Sequence, residues 1–222
     1  MKLPQLDLDE ALRYAGVPAP APEALRADMA HWARELAQTI PPRYVYRVLA
    51  LEHRPDGIYL PAIDLPLPGQ TAQKMLADCD EAVLLACTLG ARFDALLRRE
   101  QARDMSQALL LDGCGGAWVE AGCNAAEEEL RARFPHRYLT DRFSPGYGDL
   151  PLSIQPALCD ALNAYRRLGL SLSETCLLNP VKSVTAIVGL SDRPQPTRIR
   201  GCRYCSLQKT CTFRKGGTSC GI

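Results

Sequence analysis

The chain has 222 residues, is 47% hydrophobic and 23% charged, and carries a formal net charge of +1. That length suits one large domain or two small ones, and the composition supplies a packed core and excludes global disorder. Evenly mixed charge lacks the basic excess with which a sequence-independent nucleic-acid binder displaces counterions.

The first forty residues read as helical. Asp9 to Tyr14 predicts a short helix ended by Gly16 and Pro18. Pro22 to Thr39 predicts a longer one, with Leu25, Met29, Trp32, Leu36 and Ile40 at helical spacing. Pro41-Pro42 stops it. A β-hairpin pattern follows: the strand formers of Tyr44 to Leu51, turn chemistry at Arg54-Pro55-Asp56-Gly57, and a restart at Ile58-Tyr59-Leu60. Residues 71–78 predict a short helix, Glu81 to Thr88 a buried strand closed by Gly90, and residues 91–104 a helix. Ser106 to Phe134 is the longest helical signal, although Gly113, Gly115, Gly116 and Gly122 interrupt it. Tyr138 to Arg142 reads as extended, Pro145 to Pro151 as a loop, and Pro156 to Leu168 as a helix. Glu174 to Leu178 and Ser183 to Leu190 read as two strands joined by a turn at Asn179-Pro180. Arg193 to Arg200 reads as a linker.

Strands and helices mix without a βαβ repeat, so the expected fold class is α+β. Three parts are expected: a helical segment at 1–40, a core at 41–192 and a cysteine-rich tail at 193–222. Met1 to Glu10 is acidic and has no apolar core of the signal-peptide kind. The longest clean apolar run, Ala82 to Cys87, is too short to span a bilayer. The expectation is a cytoplasmic protein with no membrane and no nucleic-acid partner. In a reducing compartment, ten cysteines point to metal ligation or to small buried hydrophobes.

Three motifs carry chemistry. The first is Arg142-Phe143-Ser144-Pro145-Gly146-Tyr147-Gly148-Asp149-Leu150-Pro151. Its glycines and prolines fix an irregular backbone, Gly146 and Gly148 open conformations closed to other residues, and Arg142 has the fork that fits a carboxylate or phosphate. Read alone, it is either a tight surface turn or a ligand cradle. The second is Gly113, Gly116, Glu120 and Asn124, which share one face of the long helix. Interior glycine costs about 1 kcal/mol relative to alanine, so such a face serves close helix–helix packing or the approach of a ligand to Glu120. The third is the tail pattern Cys202-x2-Cys205-x5-Cys211-x8-Cys220. Four thiolates at this spacing close around one tetrahedral metal or a cubane cluster, and spacing does not choose between zinc and iron–sulfur. Arg203, Lys209, Arg214 and Lys215 offset the charge of such a site. Cys79, Cys87, Cys114, Cys123, Cys159 and Cys176 sit mostly in apolar contexts and are expected in the core.

The loop motif, Leu170-Ser-Leu-Ser-Glu-Thr and Pro180-Val-Lys-Ser-Val-Thr-Ala-Ile-Val-Gly-Leu together resemble the activation domain of cobalamin-dependent methionine synthase, and more closely its stand-alone relatives with a cysteine tail. The resemblance runs over about residues 40–222. It implies an antiparallel or mixed sheet flanked by helices. It also implies reductive reactivation of the cobalamin of a methionine synthase, or of a related corrinoid protein: oxidised Co(II) takes one electron, and the S-adenosylmethionine methyl is captured by Co(I). Under this resemblance Arg142 takes the ligand's carboxylate. Ser144 and Pro145 hold the adenosine through their backbone, Gly146 belongs to the same cradle, Tyr147 faces the corrin, and Glu120 lies in the nucleoside site. The partners implied are the corrinoid protein and a reduced donor such as flavodoxin or ferredoxin. The tail cysteines would hold a 4Fe–4S cluster, with zinc as the alternative; the zinc alternative makes the chain a non-enzymatic adaptor that docks on a corrinoid protein. Two departures stand out. A tyrosine expected after the last strands is absent from Leu190-Ser-Asp-Arg, and the family's early ligand-binding aspartate has no counterpart.

Overall fold

The computed structural model describes residues 6–196. The cysteine tail from Cys202 to Cys220 lies outside the described residues.

Asp7 starts α1 (Leu8–Tyr14) by accepting hydrogen bonds from Asp9 N and Glu10 N, which satisfies two orphan donors of the first turn. α2 (Glu23–Thr39) follows Pro22 and buries Met29, Trp32 and Leu36 at helical spacing. β1 (Arg43–Ala50), β2 (Glu52–Arg54), β3 (Gly57–Leu60) and β4 (Leu65–Leu67) come next. Then come α3 (Gln70–Leu76), β5 (Glu81–Thr88), α4 (Ala91–Arg103) and α5 (Met105–Arg133). The chain goes on through β6 (Tyr138–Leu139), α6 (Gln155–Leu162), α7 (Ala164–Leu168), β7 (Ser171–Leu172), β8 (Leu178–Asn179) and β9 (Ser183–Ser191).

The central sheet has the order β1-β5-β9-β6 and is antiparallel throughout. β5 is apolar over most of its length because both faces of the sheet are covered. Leu85 and Cys87 pack with α1, α2, α4 and α5, whereas Leu84 and Ala86 pack with α3, α6, α7 and the small β2-β3-β4 sheet. The period-2 alternation of a strand thus sorts one run of residues into two cores. The fold class is α+β, as expected.

Three expectations change. The turn at Arg54–Gly57 does form a hairpin, but it joins β2 to β3; Tyr44 to Leu49 pair with β5 instead. β1 carries the longer apolar alternation and is drawn to the buried β5, a partner that local turn chemistry does not reveal. Residues 174–177 form a turn rather than a strand, with Cys176 at positive φ and Ser173 Oγ accepting from Leu177 N; only the short β7–β8 ladder flanks it. The helix expected from Pro156 to Leu168 is split at Asn163, which adopts the left-handed conformation. The long helix α5, by contrast, runs unbroken through its four glycines. Packing supplies what propensity withholds: a Cβ on Gly113 would lie 2.6 Å from Ala15 N, and one on Gly115 would lie 2.2 Å from Phe93 Cζ. Among the described residues no helix is long and apolar enough to cross a membrane.

Candidate functional site

After β6 the chain makes one further bridge to β9: Phe143 N donates to Ile187 O and Ile187 N donates to Phe143 O. This fixes the side-chain alternation. Phe143, 2% exposed, enters the core on the α3–α6 face, so its neighbour Arg142 turns toward α5. There Arg142 Nη1 donates to Asn124 Oδ1 at 2.8 Å and to Glu127, and Nη2 donates to Glu120 at 2.5 Å. The guanidinium is 14% exposed, Glu127 3% and Glu120 32%. Burial works against the cation, but Cys123, Glu120 and Glu127 more than offset it and hold Arg142 above its ordinary range. Beneath this cluster, contact with Cys87 and burial push the Cys123 thiol up, so Cys123 acts as a small apolar group of the β5–α5 interface.

The loop beyond Arg142 is tied into itself. Tyr147 N donates to Ser144 O, Gly146 N to Leu150 O, and Leu150 N to Tyr147 O. Gly146 and Gly148 have φ of +87° and +59°, which glycine adopts without strain. Pro145 and Leu150 are buried, Ser144 is half-buried, and Gly146 and Tyr147 are exposed. The far side is anchored by Asp149, whose carboxylate accepts from Gln70 N at 2.6 Å and Thr71 N at 2.8 Å at the start of α3. Hydrogen bonds from Thr71, then Gln70, lower its pKa to about 2. Gly69 and Gly148 permit this contact; a Cβ on either would run into Asp149 or Thr71.

Two further features lie on the same α5 ridge, N-terminal to Glu120. One turn toward the N-terminus, Gly116 is overlaid by Tyr14 of α1, whose ring carbon would be 3.1 Å from an added Cβ. One turn further, Asp112 pairs with Lys182, just before β9, at 3.0 Å. Tyr14 OH donates to Glu10, and burial together with Glu10 and Glu120 raises its pKa to about 12.

The sequence thus identified Arg142, Glu120 and Asn124, and they meet. Ser144, Pro145, Gly146 and Tyr147 form the adjoining loop. Glu127, Asp112, Lys182 and Tyr14 were missed. Glu127 had a readable signal, since it lies two helical turns beyond Glu120; Tyr14 had none, because only tertiary packing brings α1 to this ridge. Among the described residues no cluster of His, Cys, Asp or Glu has the arrangement of a metal site. Two open concavities lie elsewhere. One of about 480 Å³ runs along β1 and is lined by Arg43, Tyr44, Glu129, Arg133 and Arg167, among others. The other, of about 250 Å³, lies at the α6–α7 break and is lined by Cys159, Tyr165 and Ser171, among others.

No protein-family model matches the chain. No curated protein matches it by sequence. Among solved structures, the MetH reactivation domain bound to AdoHcy is similar, with a TM-score of 0.64 and 18% identity, over 94% of this chain and 77% of that one. The chain therefore has the α+β fold of the MetH reactivation domain.

Proposed function

We propose that this chain serves the reductive reactivation of a cobalamin held by a partner, a methionine synthase or related corrinoid protein, with S-adenosylmethionine as the methyl donor. The observation that carries this reading is the meeting of Arg142, Glu120 and the self-bonded Pro-Gly-Tyr-Gly loop beside α5, in a fold shared with a domain solved with AdoHcy bound.

In this reading Arg142 takes the ligand's carboxylate by exchange. Glu120 is the more exposed of its two carboxylate partners, so it gives way while Glu127 keeps the guanidinium aimed. Glu120, released, accepts hydrogen bonds from the nucleoside hydroxyls or the ligand's ammonium group. Ser144 and Pro145 hold the adenosine edge through the backbone, Gly146 allows close approach, and the exposed Tyr147 meets the corrin. The residues present fit this ligand: a cation for its carboxylate, a carboxylate for its hydroxyls, and a loop whose shape does not depend on the ligand.

The electron comes from a reduced carrier such as flavodoxin or ferredoxin, and the arginine-lined concavity along β1 offers charge complementary to an acidic carrier. Residues 193–222 form the metal-binding tail behind a 41–192 core, with Cys202, Cys205, Cys211 and Cys220 as ligands of a 4Fe–4S cluster, or of zinc. The protein acts in the cytoplasm.

Calorimetry tests the ligand assignment. S-adenosylmethionine is expected to bind the native chain and to lose most of its affinity for Arg142→Ala; equal heats, or no heat with either protein, refute it. A second reading, an adaptor that docks on a corrinoid protein without a methyl donor, is favoured by one observation: Arg142 already has three protein partners on α5. Metal analysis after anaerobic purification separates the two, because one zinc without acid-labile sulfide fits the adaptor.

A further inference from the structure

The α5 ridge beside the candidate site carries two ion pairs with a gap between them. Asp112 pairs with Lys182, just before β9, and Glu120 pairs with Arg142 of the loop. The two carboxylate positions are eight residues apart on a continuous helix, so roughly 12 Å of ridge separates them. Midway lies Gly116, and its missing side chain is replaced by the ring of Tyr14. The Arg13 guanidinium covers the ring at 4.5 Å from its centroid, the hydroxyl donates to Glu10 at 3.1 Å, and the side chain is nevertheless 40% exposed. A large aromatic ring, held by Arg13 and Glu10, is thus presented between the two ion pairs. It comes from an N-terminal helix that the sequence resemblance did not include.

We infer that Tyr14 is the aromatic platform of this site and takes the face of a purine ring, with the ligand laid along α5 from Arg142 to Gly116. The inference rests on the proposed function, which puts the carboxylate end at Arg142, and takes the nucleoside hydroxyls as the group that Glu120 accepts from. The base then falls one helical turn further toward the N-terminus, where Tyr14 stands. A flat heteroaromatic ring finds there a face to stack on and, in Arg13 behind it, a cation that polarises the same ring. The stretch Leu190–Arg193 supplies no ring for that purpose.

The test is calorimetric titration of S-adenosylhomocysteine into the full chain and into Tyr14→Phe, Tyr14→Leu and Tyr14→Ala, with a thermal melt of each. Tyr14→Phe keeps the stacking face and should bind within about twofold of the native chain. Tyr14→Leu fills the space over Gly116 without a π face and should bind about tenfold more weakly at an unchanged melting temperature, as should Tyr14→Ala if α1 stays docked. Native affinity for Tyr14→Leu overturns the inference while leaving the proposed function standing. Absence of binding by the native chain overturns both.

Discussion

Alanine at Gly113 and alanine at Gly116 should have opposite effects on stability, although the two glycines lie on one face of one helix. Each substitution gains about 1 kcal/mol of helix propensity. At Gly113 the added Cβ would lie 2.6 Å from Ala15 N and 2.9 Å from Ala11 O. These are backbone atoms of α1 and of its C-cap and cannot rotate away, so the helix must shift. Overpacking of this kind costs about 1–3 kcal/mol, and a displaced α1 also gives up burial of Leu12, worth about 1.5–3 kcal/mol when complete. The net expectation is a loss of about 1–2 kcal/mol. At Gly116 the nearest atom is Tyr14 Cδ2 at 3.1 Å, on a partly exposed side chain that need give by only a few tenths of an ångström. The net expectation there is between zero and a gain of about 1 kcal/mol. Urea denaturation of both variants checks this, as a lower midpoint for Gly113→Ala and an equal or higher one for Gly116→Ala at unchanged slope. A Gly113→Ala midpoint at or above that of Gly116→Ala would falsify the claim that α1 requires this glycine. The same Gly116→Ala protein, stable but with Tyr14 pushed aside, should bind S-adenosylhomocysteine more weakly.

Glu127→Leu should destabilise by about 2–4 kcal/mol, because it strips a buried partner from a buried cation, whereas Glu120→Gln at the exposed rim should cost under about 1 kcal/mol; thermal melts compare them. The Asp149 anchor has a folded pKa of about 2, below its ordinary 3.8. Its contribution is therefore complete above the ordinary value and disappears as pH falls through the folded one. Hydrogen exchange at Gln70 and Thr71 should stay protected at pH 4 and rise toward pH 2, and Asp149→Asn should show raised exchange at neutral pH. Trp118→Phe should cost about 1–3 kcal/mol, because it leaves the Ile40 carbonyl, now paired with the indole N–H at 2.8 Å, without that donor in a buried setting; chemical denaturation measures it.

Much was legible from residue order. The borders of α1, α2, β5, α4 and α5 follow from capping residues, glycines, prolines and hydrophobic period, all of which act over a few residues. The loop at 142–151 was recognisable because its glycines and prolines restrict the backbone locally, and Glu120 with Asn124 because helical spacing aligns them. Tertiary structure alone decided that β1 leaves its neighbouring hairpin for β5, since strand partners are chosen by burial across sequence-distant segments. Burial also decided what each glycine on the α5 face does. Gly113 admits the backbone of α1, while Gly116 admits only the ring of Tyr14. Local sequence fixes the direction in which a helix presents a residue; what stands opposite depends on packing that no short stretch of chain contains.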